Sequence, residues 1–521
     1  MKEQTKCPIC GQDHGYLVRQ FHPAIDKPLV EKLQEETLDW RAEMGACTRC
    51  IDQAHLELQR CFFKGDGSPG EVNGYKIFPT PMRLFADENL TGKGVTICFI
   101  DSGFYPHPDL TRPHNRILAH LDITQSEGKG FRQLPTEGEP QPPANHQWHG
   151  TMTSVVCAGN GLLSNGLYRG IAPDAKLVLL KVTDASGSIT ADNIVRALDW
   201  AVKNRAKYNI RIINLSVYDD ATVSWTDSAI DKAVERAVGK GINVVAAAGN
   251  DPNAPIRPPA NAPHAITVGG FNDRNTLDPL VNTLYHSTFG DTVDRFQKPD
   301  VIAPAIWLAA PILPGTAQQA EASELFERLQ TDDNDLLRNR IDEAKYISPH
   351  YQHVDGTSFA APIVCSVIAQ MLEANPRLTP DTIREILYVT ARKLPGEDVQ
   401  RQGWGVIQPF HAAQMAAGRP LTPLPGITPV IDYRRMVIDF FLQHPGAKSV
   451  EVTGDFVGWR ERLPLDANGA AGIWHGSIPL LKSDVYRYKF IIDRKEWMSD
   501  PRNLFRENDG FDGFNSMLIV L

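Results

Sequence analysis

Between about residues 80 and 415, short β-branched runs alternate with amphipathic patterns of helical length, and this alternation limits the fold more than any other feature of the sequence. Val95 to Ile100, Leu177 to Val182, Arg211 to Leu215, Asn243 to Ala248 and Ala265 to Val268 are expected to be buried strands. Thr190 to Lys207 and Asp227 to Lys240 are expected to be helices between them. Strands separated by helices predict an α/β domain with a mostly parallel sheet.

Both flanks read differently. The Gly-rich stretch Lys64 to Gly74 and the Pro-punctuated stretch Pro420 to Pro429 have linker composition. They divide the 521 residues into an N-terminal module over 1–75, the α/β domain over 76–418 and a C-terminal module over 430–521. In the last module, short alternating strands separated by Thr453-Gly-Asp, Asp466-Ala-Asn-Gly and Asp509-Gly predict a small antiparallel β-sandwich.

A net charge of −9 supplies no basic field, so nucleic acid and anionic membranes are not the expected partners. The opening Met1 to Cys10 has no apolar core of a secretory signal. Apolar stretches such as Ile363 to Leu372 fall short of the roughly 20 residues of a membrane span, so a cytoplasmic location is expected. Eight cysteines fit that compartment: Cys98, Cys157 and Cys365 lie in apolar runs, and four others form two Cys-x-x-Cys pairs. Cys7, Cys10, Cys47 and Cys50 are candidate thiolate ligands of a structural Zn2+, with a helix expected over Pro28 to Met44. The alternatives are a redox pair or thiols without a metal. No compact Ca2+ loop is recognisable, and calcium is left undecided.

Amide hydrolysis needs a nucleophile, a base active near neutral pH, a group that orients the base and a donor for the developing oxyanion. Asp101 closes the first strand in Asp-Ser-Gly-Phe-Tyr-Pro-His-Pro-Asp-Leu. His149 stands in Gln-Trp-His-Gly-Thr-Met-Thr-Ser, where Gly150 permits close approach of a helix. Ser358 stands in Asp-Gly-Thr-Ser-Phe-Ala-Ala-Pro before a long helical pattern, where helix N–H groups favour negative charge. His107, His114, His120 and His146 carry no motif and are expected to be structural or superficial.

These segments resemble the subtilisin-like serine proteases, whose triad runs in the chain order Asp, His, Ser. Ile213-Asn-Leu-Ser216, Val244 to Asn250, Lys298 to Pro304 and Gly403 to Ile407 extend the resemblance over about 60% of the chain. It implies a subtilisin-like three-layer domain. It also implies Ser358 as nucleophile, His149 as general base and then acid, Asp101 as orienter and Asn250 as oxyanion donor beside the Ser358 N–H. The competing class is a catalytically silent scaffold that keeps the fold and binds α-glucan or protein.

Several positions depart from the family. Met152 replaces a second histidine three residues after His149. After Ser216 the run is Val217-Tyr218-Asp219-Asp220, where relatives carry glycines that pair with substrate. Tyr218 is expected to reshape the cleft, and the two aspartates to form a solvated acidic loop or, as the alternative, to favour basic substrate residues. Pro314 to Ser348, with Leu325, Phe326, Leu329, Leu336 and Ile341, is expected to be a helical insertion serving as surface decoration or as a lid. Residues 1–63 do not resemble the inhibitory propeptide of extracellular relatives. They are expected to be a stable appendage that is never removed or, as the alternative, a regulatory or partner-docking module with the Gly-rich linker as a self-cleavage site.

Val450 to Trp459, Tyr486 to Asp493, Trp497 to Pro501 and Phe514 to Val520 resemble the glycogen-binding modules of the AMP-activated kinase β subunit and of starch-branching enzymes. The resemblance implies that Trp459, Lys489, Trp497 and Asn515 contact α-glucan. Sugar C–H faces stack on aromatic rings while hydroxyls take the polar contacts. Protein docking by the same module is the alternative.

Overall fold

The computed structural model describes residues 5–14, 17, 27–37, 39–47, 50–51, 54, 77–87, 89–127, 130–138, 143–164, 166–275, 282–329, 331–332, 334–394, 397–419, 429–432, 436–444, 446–468, 473–482, 484–500, 503, 506–511 and 513–520. The Gly-rich linker and most of the Pro-punctuated one lie outside the described residues. Contacts group the chain into two compact units. One comprises Met1–Lys27, Arg41–Thr48 and Asn73–Pro420; the other comprises Pro28–Trp40, Arg49–Val72 and Leu421–Leu521.

The first unit is built on nine strands: β1 (Thr96–Asp101), β2 (Ile117–Glu127), β3 (Gly130–Gln133), β4 (Lys176–Lys181), β5 (Ile210–Leu215), β6 (Asn243–Ala247), β7 (Ile266–Asn272), β8 (Thr283–Leu284) and β9 (Val301–Pro304). Their order is β8-β7-β6-β5-β1-β4-β2-β3, with β9 also on β7. Every pairing is parallel except β8 with β7 and β2 with β3 at the margins. Side chains alternate along each strand, so β1 sends Ile97 and Phe99 to one apolar core, and Cys98 and Ile100 to another. The first core is covered by α1 (Trp148–Ala158) and α6 (Thr357–Ala374). The second is covered by α2 (Ala191–Tyr208) and α3 (Ala229–Val238), which makes three layers.

Local chemistry sets the helix ends. Thr190 accepts from the Asn193 N–H to cap α2, which stops at Asn209 in the left-handed conformation, and Ser228 caps α3 through the Asp231 N–H. Helix α6 is the one helix among the described residues long and apolar enough to cross a membrane, longer than the apolar run Ile363 to Leu372 suggests. Its apolar stretch is 83% buried in this fold, as a core helix must be.

The insertion before Ser358 is helical as expected. It leaves from β10 (Leu308–Pro311), forms α4 (Ala317–Leu329) and α5 (Asp335–Glu343), and returns through β11 (Tyr346–Ser348) and β12 (Tyr351–Val354). Strand β12 pairs antiparallel with both β10 and β11. Leu325, Phe326, Leu329, Leu337 and Ile341 build a separate core beneath it. Leu336 is 79% exposed, and the neighbour that points inward is Leu337, at 4%. The helical register, which turns about 100° per residue, decides between them.

In the N-terminal residues, Thr5–Lys6 pairs antiparallel with Asp13–His14 around a turn carrying Cys7 and Cys10. The helix expected over Pro28 to Met44 is interrupted: an α-helix spans Lys27–Glu36, and a single 3-10 turn spans Ala42–Met44. Turning the chain at Thr37 leaves Trp40 1% exposed, and burying an indole outweighs the few tenths of a kcal/mol per residue that helix propensity offers.

The second unit carries β13 (Val430–Asp432), β14 (Val437–Gln443), β15 (Val450–Gly454), β16 (Leu463–Asn468), β17 (Ile473–Pro479), β18 (Asp484–Ile492), β19 (Glu496–Met498), β20 (Arg506–Asn508) and β21 (Phe514–Val520). All pairings are antiparallel, in the order β13-β14-β17-β16-β15-β18-β21-β20, with β19 also on β18. Alternate residues, among them Phe440, Val452, Tyr488 and Phe490, enclose one apolar core.

Candidate active site

Asp101 ends the central strand β1 and is fully buried, and His149 enters at the start of α1. His149 Nδ1 lies 2.7 Å from Asp101 Oδ1. The same carboxylate oxygen accepts the Ser102 N–H at 2.6 Å, and Thr153 Oγ1 donates to Oδ2 at 3.3 Å, so the orienting group is itself oriented. A Cβ on Gly150 would come within 3.0 Å of Asp101 Cβ and overlap the Gly103 carbonyl, so glycine is what lets α1 reach the strand end. Burial works against the charged imidazole, but the Asp101 charge and hydrogen bond outweigh it and raise the His149 pKa above its ordinary value. With Nδ1 held by the carboxylate, Nε2 is the nitrogen left for proton transfer.

Ser358 is the second residue of α6, just after Gly356, whose φ of +134° favours glycine. The ring of Phe359, next in sequence, lies 5.8 Å from the His149 ring, which sets the two motifs side by side. Asn250 Oδ1 accepts from the Thr357 N–H at 2.8 Å and from Thr357 Oγ1 at 3.0 Å. Those bonds fix the amide orientation and leave Nδ2 as the group's donor. Among the described residues the Ser358 N–H has no backbone acceptor, as expected at a helix start. Two unspent donors at a helix N-terminus are what a developing oxyanion requires. Asp101, His149, Asn250 and Ser358 thus converge from four separate segments.

At the cleft rim the acidic run after Ser216 is partly exposed and partly paired. Asp220 pairs with Arg257 Nη1 at 2.8 Å, and the same guanidinium lies 5.8 Å above the ring of Tyr218, which is 59% exposed. One of the two aspartates is therefore already matched by a cation, which favours the solvated-loop reading over a preference for basic substrate residues. Of the motif-free histidines, His107 and His120 are buried, and His114 and His146 are exposed. The sequence reading missed Ser102 and Thr153 as supports of Asp101. Their signal was position: one follows the strand-end aspartate, and the other lies one helical turn past His149.

The ligand atoms of Cys7, Cys10, Cys47 and Cys50 all lie within 4.8 Å of one another, and three of these residues are buried. Cys10 Sγ and Cys47 Sγ are 3.8 Å apart. That is the edge of a tetrahedron with metal–sulfur bonds of about 2.3 Å, which works out at about 3.8 Å, and is far longer than a disulfide. The thiol set fits a tetrahedral soft-ligand metal.

In the second unit, Trp459 and Trp497 stack with centroids 6.4 Å apart, and Trp497 is 46% exposed. Trp497 stands opposite Ile491 across β19 and β18, on the same strand face as Lys489. Asn515 precedes Ser516, the partner of Tyr488, which puts it on that outward face too. Lys489 Nζ bonds the Asp509 carboxylate, and Trp459 Nε1 donates to Asp455 at 2.7 Å. The four residues share one surface, with the lysine already engaged.

A model of the subtilase family matches residues 92–405, and a model of the glycogen recognition site of AMP-activated protein kinase matches residues 438–520. Serine protease AprX of Bacillus subtilis (strain 168) is 31% identical over 328 residues, covering 61% of this chain and 66% of AprX. M-protease of Shouchella clausii (strain KSM-K16) is 25% identical over 318 residues, covering 61% of this chain and 64% of the relative. The chain thus spans just under two thirds of the length of these relatives. Among solved structures, a protease from Pseudoalteromonas arctica is 24% identical, with a TM-score of 0.46, covering 63% of this chain and 92% of that one.

Proposed function

Because this chain belongs to the subtilase family, we propose that it is a serine endopeptidase that cleaves protein substrates through an acyl-enzyme at Ser358. The observation that carries this reading is the buried Asp101 held 2.7 Å from His149 Nδ1, with Ser358 and Asn250 at the neighbouring helix start. In the first step His149 Nε2 takes the Ser358 hydroxyl proton as Oγ attacks the scissile carbonyl. The new oxyanion is met by the Ser358 N–H and Asn250 Nδ2. The imidazolium, stabilised by Asp101, then gives that proton to the leaving amine. Water attacks the ester in the second step with the roles reversed. A protein substrate digested by wild type and by Ser358→Ala, with new N-termini counted, tests this. Ser358→Ala is expected to lose about 10⁶ in kcat, and equal cleavage by the two proteins would refute the assignment.

The flanking modules are read as targeting or regulatory. The Trp459, Trp497, Lys489 and Asn515 face supports an α-glucan such as glycogen as the ligand of the C-terminal module, read as a β-sandwich, and its family match supports the same choice. Four cysteine sulfurs within 4.8 Å of one another support a structural Zn2+ in the N-terminal residues, which would tie the two distant Cys-x-x-Cys pairs together without an open catalytic position. Thiols buried in apolar surroundings at Cys98, Cys157 and Cys365 support a reducing, cytoplasmic setting. A regulatory protein partner for residues 1–63 belongs to the same proposal.

A further inference from the structure

We propose that Ser216 is a positioning residue for the nucleophile, supplying a hydrogen bond that helix α6 cannot make for itself. In an α-helix the carbonyl of Ser358 would accept from the N–H of residue 362. Residue 362 is proline, inside the helix. It has no N–H, and its ring presses on the carbonyl four residues back, which is that of Ser358. The nucleophile therefore sits on the one carbonyl of the first turn that the helix leaves without its donor, and a carbonyl without a partner in a closed site is costly.

Ser216 fills the gap. Its Oγ donates to the Ser358 carbonyl at 2.9 Å. The same oxygen accepts from Asn214 Nδ2 at 3.0 Å, and Asn214 Oδ1 accepts from Cys365 Sγ at 3.6 Å. Asn214 is fully buried in β5, and Cys365 lies seven residues, about two turns, beyond Ser358 on the same side of α6. The Asn214 amide nitrogen only donates and its oxygen only accepts, so the relay Cys365, Asn214, Ser216, Ser358 is fixed in sense and runs from the helix interior back to its catalytic turn.

The relay also ties the two ends of the triad to one reference. Strand β5, which leads into Ser216, pairs directly with β1, which ends in Asp101, through Leu215 opposite Ile100. Asp101 holds the base from one strand, and Ser216 holds the backbone of the nucleophile from the next. Ser216 touches neither substrate nor reacting atoms by this argument; it sets where the Ser358 side chain starts from. Misplacement on the order of 1 Å costs about a hundredfold in rate.

This inference rests on the peptidase reading, and the test separates the two. Parent, Ser216→Ala, Pro362→Ala and the double variant are compared for kcat and KM on a peptide and for chemical-denaturation midpoint. Pro362→Ala restores the missing N–H, so it makes the Ser216 hydroxyl redundant. The expected result is a loss of about 10- to 100-fold in kcat for Ser216→Ala with KM within about twofold. In the Pro362→Ala background the same substitution should cost less than about threefold, and it should lower the midpoint less than it does in the parent. Equal losses in both backgrounds, or a loss confined to KM, would overturn the proposal. If Ser216→Ala alone does not fold, the Pro362→Ala pair decides: matching kcat values support the relay, and a tenfold deficit overturns it. A parent without peptidase activity sinks the peptidase reading, while the midpoint comparison still judges the hydrogen bond.

Discussion

At the residue scale, the site is one electrostatic arrangement around His149. Asp101 favours the charged imidazole strongly enough to overcome burial, so the base titrates above the ordinary histidine value. Activity requires the neutral form and is expected to fall as pH drops through that raised pKa. The stability effect has the opposite sense: the ion pair with charged His149 is fully present below the unfolded-state pKa and is lost as pH rises through the folded-state one. In Asp101→Asn the acid limb of kcat/KM should move to lower pH, because the charge that raised the pKa is gone. A pH–rate profile checks this, and an unmoved limb would remove His149 from the role of base. These residues were legible because each motif names its own chemistry. Ser216 stands in a legible motif and yet was not legible as a support, since its use depends on which carbonyl Pro362 leaves open in three dimensions. The Asp220 pairing with Arg257 was hidden for the same reason.

At the element scale, period and punctuation read well where both faces of a strand are buried. β1, β4, β5, β6 and β7 lie within a few residues of their expected positions, as do α2 and α3. Strands β2 and β9 escape the pattern: β2 lies near the sheet margin with an exposed end, and β9 is four residues beside a proline-rich motif. In the insertion, the pattern specifies helices but not their rotation, which is why it points to Leu336 where Leu337 is buried. The short strand β19 carries Trp497, the half-exposed ring of the proposed sugar-binding face. Trp497→Ala is expected to weaken retention on glycogen by about tenfold or more, roughly one aromatic contact at 1.4 kcal/mol per decade. Affinity electrophoresis in glycogen gels measures it; a wild-type protein that migrates unretarded would leave protein docking as the role of this face.

At the scale of the whole molecule, the proposed chemistry belongs to the α/β unit, and the segments outside residues 92–405 lie beyond the subtilase match. A structural zinc would link residues 7–10 to residues 47–50, which lie far apart in the sequence. Metal analysis should find one zinc per chain, Cys47→Ser should lose it, and chelation should lower the melting temperature of the intact protein. A metal-free protein that melts unchanged would return the cysteines to plain thiols. Ser358 is proposed as a nucleophile activated by His149 and Asp101. Its most direct measurement is intact-mass and peptide mapping after treatment with a fluorophosphonate. One adduct per chain is expected, on Ser358, formed with the pH dependence of His149 and absent from Ser358→Ala and His149→Ala. No adduct under conditions that label other subtilases, or an adduct on a different serine, would contradict it.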